Sequence, residues 1–166
     1  MDVRGLLTEG FGRITELYAD VAEGLDDEML RHRPGGTGNS IGWLLWHLAR
    51  VQDDHVADLA GTPQVWAEWQ EKVGLPNGTD DIGFGHTSEQ VDAVRIEDVS
   101  QLVAYHHEVT LATARYLQTV DERELEREVD QRWDPPVTAG VRLVSIQGDC
   151  IHHLGQAAYV KGLLTR

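Results

Sequence analysis

Four long segments of this chain repeat apolar residues at alternating intervals of three and four, the spacing that lays one stripe along one side of an α-helix. The first segment runs from about Asp2 to Glu23 and carries Leu7, Phe11, Ile14, Tyr18 and Val21, with Leu25 continuing the stripe. The second starts at Asn39 or Ser40, either of which can cap it, carries Ile41, Leu44, Leu45, Leu48 and Val51, and stops before Gly61-Thr62-Pro63. The third begins near Asp98, another cap, and carries Leu102, His106, Val109, Thr113, Tyr116 and Val120. The fourth runs from about Gly140 to Leu164 with Ile146, Asp149, His153, Ala157, Val160 and Leu164 on its stripe. Four one-sided helices bury their stripes against one another, so the expected fold is all-α, an antiparallel four-helix bundle. No set of β-branched runs lies between the helices, which argues against a doubly wound α/β sheet.

The connections differ in length. Arg33-Pro34-Gly35-Gly36-Thr37-Gly38 breaks the chain between the first two helices. Gly61 to Glu97 is a long crossover between helices two and three. Within it a short helix is predicted around Val65 to Val73, where Trp66 and Trp69 share a face. Gly74-Leu75-Pro76-Asn77-Gly78 and Gly83-Phe84-Gly85 read as loops, and a second short helix follows Thr87, which forms a capping-box pattern with Gln90. Trp133-Asp134-Pro135-Pro136 is a rigid break before helix four. A chain of 166 residues suits one domain, residues 1–166, with a full core.

Composition narrows the partners. The formal net charge is −14, from 28 acidic against 14 basic residues, which repels phosphate backbones and anionic membrane surfaces, so neither nucleic acid nor membrane is expected as a partner. No apolar run approaches the roughly 20 residues of a membrane span, and the start Met1-Asp2-Val3-Arg4-Gly5 lacks the regions of a signal peptide. Cys150 is the only cysteine, so no internal disulfide forms, and a cytoplasmic location is expected.

The fourth stripe carries chemistry where leucines belong. Asp149 and His153 are four residues apart, which on a helix is about 40° of rotation and about 6 Å of rise, so both leave one face a turn apart. A carboxylate and an imidazole so placed make a two-point grip on a divalent ion, and His47, beside Leu44, Leu48 and Val51 on helix two, offers a third ligand. Three protein ligands leave positions open for water or substrate, the mark of a catalytic site. Spacing alone leaves the alternative of a hydrogen-bonded Asp–His pair beside a core histidine. His106 and Gln156 are candidates for the shell around the ligands, with core and bundle roles as the simpler readings. His152 lies about 100° around the helix from His153 and is expected on a flank. His107 reads as surface, Asp54 and His55 as a solvated helix end that could line the mouth of the site, and Cys150 as a buried small hydrophobe. Trp43 and Trp46 flank His47, one expected in the core and one at an interface. Gly148 and Gly155 share a face, which close approach of another helix or a partner subunit would explain.

Asn39-Ser40-Ile41-Gly42-Trp43-Leu44-Leu45-Trp46-His47-Leu48-Ala49-Arg50 resembles the second-helix signature of the DinB-like (DinB/YfiT) superfamily. Asp149-Cys150-Ile151-His152-His153-Leu154-Gly155-Gln156 resembles its fourth-helix signature. The resemblance covers nearly the whole chain in helix order and length. Many members bind a metal through one histidine of helix two and a His-x-x-x-His pair of helix four. A relative, mycothiol-dependent maleylpyruvate isomerase, has a carboxylate at the first position of that pair. Carried over by position, the resemblance implies the ligands His47, Asp149 and His153, with Asp a departure from the commoner His or Glu and shorter than Glu by one methylene. It implies a divalent ion, zinc or nickel being compatible with two imidazoles and a carboxylate. It further implies a low-molecular-weight thiol of the mycothiol or bacillithiol type, and an S-transferase-like activity on a small electrophile. The isomerase relative carries a further C-terminal domain that this chain lacks after helix four, so that particular isomerase activity is not expected. A metal-dependent hydrolase and a non-catalytic metal-binding or stress-related dimeric bundle are the alternatives. A homodimer is expected from the tryptophans, the helix glycines and the habit of the family.

Overall fold

Asp2, Ser40, Asp98 and Thr138 each turn a side-chain oxygen onto a backbone amide two or three residues later, and the four long helices begin at these points. In the computed structural model, which describes residues 1–165, these are α1 (Val3–Ala22), α3 (Ile41–Ala60), α6 (Val99–Leu117) and α8 (Ala139–Leu164). Between α1 and α3 lies the one-turn helix α2 (Asp27–Arg31). The crossover holds α4 (Trp66–Val73) and α5 (Ser88–Ala93), the latter starting in the capping box of Thr87 and Gln90. After α6 come α7 (Glu122–Leu125) and a hairpin of β1 (Glu128–Asp130) and β2 (Val137–Thr138), paired antiparallel through Glu128 with Thr138 and Asp130 with Val137. Gly61, at φ 64°, ends α3 in the left-handed conformation that glycine adopts without penalty.

Side-chain bonds between helices give their directions. Cys150 donates to the Leu48 carbonyl and Arg142 meets His55, so α3 and α8 run antiparallel. Thr15 pairs with Thr110 and Arg4 reaches the carbonyl of Val120, so α1 and α6 are antiparallel as well. Arg50 bonds Tyr105 and Gln52 bonds Thr113, which makes α3 and α6 run the same way; only a long crossover can join two neighbours in that sense. The result is the all-α bundle expected, with the elaborated connection between its second and third long helices. No helix among the described residues is long and apolar enough to cross a membrane.

The stripes of α1 and α6 are buried as their spacing predicts, apart from Leu25, which falls beyond the end of α1 and is half-buried. On α3 every residue from Ile41 to Asp53 is buried, because α8, α6 and the crossover enclose it. Trp43 and Trp46 both lie inside, so the expectation of one at an interface does not hold; the crossover covers the face that the bundle alone would have left open. The buried line of α8 is Leu143, Ile146, Cys150, Leu154, Ala157 and Val160, with Asp149 and His153 half-buried on its flank. The helix is therefore turned slightly from the phase its sequence suggested, with Cys150 and Leu154 taking the core positions. The segment between Val120 and Gly140, expected only as a break, forms α7 and the hairpin, whose strands are too short for a period-two signal.

His106 is a core residue. It is 2 % exposed and lies flat on Tyr18, ring centroids 3.9 Å apart, and its Nε2 has no partner. Burial pulls its pKa from 6.5 down to about 3, so the imidazole is neutral in the folded protein. Between those values the unfolded chain takes up a proton that the folded chain refuses. The residue's stabilisation is therefore complete above the unfolded value and is lost as pH falls toward the folded one. Lowering pH from 7 to 5 is expected to cost about 2 kcal/mol through this residue. His106→Phe, which keeps a ring on Tyr18, is expected to be spared that loss when urea midpoints are compared at the two pH values.

Candidate metal centre

The antiparallel seam of α3 and α8 sets the site. Once Cys150 sits against the Leu48 carbonyl, the residues before and after it on α8 face the residue before Leu48 on α3. His47, Asp149 and His153 each offer a ligand atom, and those atoms lie within 4.8 Å of one another. His153 Nε2 is 3.6 Å from Asp149 Oδ1, and the His47 and His153 rings meet edge to face with centroids 4.7 Å apart. The cluster is graded in burial: His47 is 5 % exposed, and the side chains of His153 and Asp149 are 18 % and 35 % exposed. One side is therefore closed by protein and the other open to a small molecule.

Both imidazoles are oriented by an oxygen at Nδ1. His47 Nδ1–H donates a short hydrogen bond to the Ile82 carbonyl, and His153 Nδ1 is 3.1 Å from the Gln156 Oε1. An oxygen accepting from Nδ1 fixes the tautomer whose Nε2 carries the lone pair, the arrangement found around histidine ligands of metal ions. Gln156 thus lies next to the cluster, as the sequence suggested, and acts on it through His153. His106, the other candidate, hydrogen-bonds to none of the three.

The electrostatics suit a cation. Asp149 Oδ2 is buried with no hydrogen-bond partner, a costly state for a carboxylate oxygen that an ion beside it would relieve. Burial raises the Asp149 pKa, but the neighbouring His153 and His47 imidazoles outweigh it and hold the carboxyl below its usual value. Burial lowers His47, against the opposing bond to Ile82, so a neutral, ligating imidazole is favoured there. The Asp149 carboxylate, 3.6 Å away, raises His153. Cys150 is no nucleophile: burial pushes its thiol far above the ordinary range and its S–H is directed at a backbone carbonyl.

Sequence reasoning missed what the crossover adds. Ile82 supplies the carbonyl for His47, and Gly83 follows at φ 87°, where a Cβ would stand 2.8 Å from Trp46 and 2.9 Å from His47 Nδ1. Trp43 stacks on His47, centroids 4.6 Å apart, and its Nε1–H donates to His86 Nδ1; His86 Nε2 in turn faces Asp81 Oδ1 at 2.8 Å. Asp81 also accepts from the Gly83 amide and from Asn77, so the turn that delivers Ile82 is held from within. The one local signal was the pair of loop glycines, Gly83 and Gly85, whose backbones both take positive φ. Of the other candidates, His107 is exposed, Asp54 and His55 are half-buried two turns along α3, and His152 is exposed on a flank. A cavity of about 770 Å³ lies elsewhere, at the far ends of α3 and α6 against Leu59, Pro63 and Tyr116.

The fold is the all-α bundle of a DinB-like protein, and in this chain a His-Asp-His cluster lies between its second and fourth long helices. Residues 7–165 match the family described as mycothiol-S-transferase, and the chain belongs to that family. It is also similar to a crystal structure described as the conserved protein of locus from Enterococcus faecalis, at 32% sequence identity and a TM-score of 0.87, with 96% of this chain and 95% of that chain covered. No functionally curated protein matches it.

Gly83→Ala is expected to destabilise the fold by about 1–3 kcal/mol, through positive-φ strain and displacement of Trp46 and His47. A lower urea midpoint than wild type reports it, and an unchanged midpoint would place the turn off the histidine.

Proposed function

We propose that this protein is a metal-dependent thiol S-transferase in which His47, Asp149 and His153 hold one divalent ion, zinc or nickel, with a thiol of the mycothiol or bacillithiol type as cosubstrate. The observation that carries the reading is the convergence of three ligand atoms, one of them an unpartnered buried carboxylate oxygen, at a face left open on one side. The family name supports the transfer chemistry. A divalent ion would lower the pKa of a thiol bound to it and so present a thiolate at neutral pH. The chain's own residues do the rest. Ile82 and Gln156 keep both imidazole Nε2 atoms toward the cluster, and the stacked Trp43 and close-packed Gly83 close the inner side against water. In the overall reaction the thiol sulfur forms a bond to the electrophilic atom, the leaving group departs with its electron pair, and the thiol proton passes to solvent.

Zinc and nickel titration followed by a thiol-conjugation assay tests this reading. The wild type is expected to bind one equivalent of metal and to consume mycothiol or bacillithiol with chlorodinitrobenzene, and His47→Ala to lose both. Stoichiometric metal without turnover on either thiol would instead favour a metal-binding bundle without catalysis.

A second copy of the chain is the proposed partner, on the outer face of α8. Val144, Gly148, Ile151, Gly155 and Tyr159 form an exposed line there, with Val144 66% and Tyr159 70% exposed. The two glycines meet nothing within 4 Å, so packing within the chain does not account for them. None of the five is charged, although the chain carries −14, so this face lets two copies approach where the rest of the surface repels. Light scattering is expected to give a dimer for the wild type and a monomer for Ile151→Glu; a monomeric wild type would remove the proposal.

A further inference from the structure

We infer, building on the metal reading of His47, Asp149 and His153, that His86 is a positioning residue for that centre, orienting His47 through Trp43 on one side and through Asp81 on the other. The bonds of His86 admit one proton arrangement. The Trp43 indole Nε1–H can only donate, so His86 Nδ1, 3.2 Å away, is the acceptor. The imidazole then carries its proton at Nε2 and donates it to Asp81 Oδ1 at 2.8 Å. Burial raises the Asp81 carboxyl, but bonds from Asn77, the Gly83 amide and His86 outweigh it and hold the group below its usual value, so it stays an acceptor. The His86 side chain is 6% exposed and stacks on Trp46, ring centroids 5.8 Å apart, which keeps the ring from turning over.

Both arms end on one imidazole. Trp43 precedes His47 by four residues, one turn of α3, and the two rings stack with planes 14° apart. The same indole meets His153 edge-on, centroids 6.2 Å apart, so Trp43 borders two of the three ligands. Stacking alone leaves an indole free to slide in its own plane, and the bond from Nε1 to His86 fixes where it rests. The second arm runs through the backbone. Asp81 Oδ1 takes both the His86 proton and the Gly83 amide, at 2.8 and 2.9 Å, while Oδ2 takes Asn77 at 2.7 Å. Ile82 lies between Asp81 and Gly83, and its carbonyl accepts from His47 Nδ1. His47 is thus held on its face by Trp43 and at its edge by Ile82, and His86 ties the two supports together. Partners of this kind set how a histidine lone pair meets an ion.

The test titrates cobalt(II) into the full-length protein, follows its visible d–d band, and records urea midpoints beside it. His86→Leu loses both bonds and is expected to weaken cobalt about ten- to a hundredfold, the range for a partner behind a ligating histidine, and to alter the band. His86→Gln, whose amide can accept from Trp43 and donate to Asp81, is expected to stay within about threefold of wild type. Trp43→Phe keeps a ring on His47 and loses only the N–H, so it is expected to fall between, and it carries the test if His86→Leu does not fold. Leu117→Ala, a buried truncation at the far end of α6, is expected to lower the urea midpoint and leave cobalt affinity and band unchanged, which separates positioning from stability. Wild-type affinity in either His86→Leu or Trp43→Phe overturns the role of His86, as does a loss in His86→Gln or in Leu117→Ala equal to that in His86→Leu. Absence of a stoichiometric cobalt site in the wild type overturns the metal reading itself, and the role of His86 falls with it.

Discussion

A buried ion pair holds the crossover to the bundle, and the candidate site depends on where the crossover lies. Arg50 and Asp53 are 0% and 3% exposed and 3.3 Å apart. Isolated charges at such depth would be prohibitive, so nearly every polar atom around them is used. Asp53 accepts from the amides of Val65 and Trp66 at the start of α4 and from the Tyr105 hydroxyl. Arg50 donates to Tyr105, to Gln64 and to the Thr79 carbonyl, and its guanidinium lies 5.1 Å from the centre of the Trp66 ring. Burial still pushes Asp53 above its usual value, against the bonds from Tyr105 and the two amides and the charge of Arg50. The pair therefore joins α3, α4, α6 and the loop leading to Ile82 at one point.

The same arrangement explains how a histidine on the most buried helix serves a site open to solvent. The crossover closes one side of His47 with Trp43, Gly83 and the Ile82 carbonyl, and α8 leaves the other side open beyond Asp149 and His153. The inner histidine is held rigidly and kept neutral by burial, while the two outer ligands are half-exposed and sit on one helix a turn apart. Rigidity on one side and access on the other are what a site for exchangeable ligands requires.

Much of this was legible in the sequence because it is local. Caps at Ser40, Asp98 and Thr87, the glycine end of α3, and the stripes of α1 and α6 follow from hydrogen bonding and period within one segment. The pair Asp149 and His153 could be read because four residues make one turn, and the partnership with His47 through the resemblance of two motifs. The rotation of α8 could not be read: Cys150 and Leu154 fit the core as well as Asp149 and His153 fit the period, and only the shape of α3 opposite chose between them. Nor could the Ile82 carbonyl, because a backbone oxygen carries no residue signature.

By itself the amino-acid sequence determined four amphipathic helices, their order, the long connection that lets α3 and α6 run the same way, and the residue types able to hold a cation. Periodicity and capping act within a few residues, so they survive reading without coordinates. Tertiary structure alone decided which side of α8 faces α3, that both tryptophans beside His47 are enclosed, and that a carbonyl 35 residues away orients the central histidine. Those outcomes come from the competition of many side chains for one close-packed volume, which no local pattern encodes.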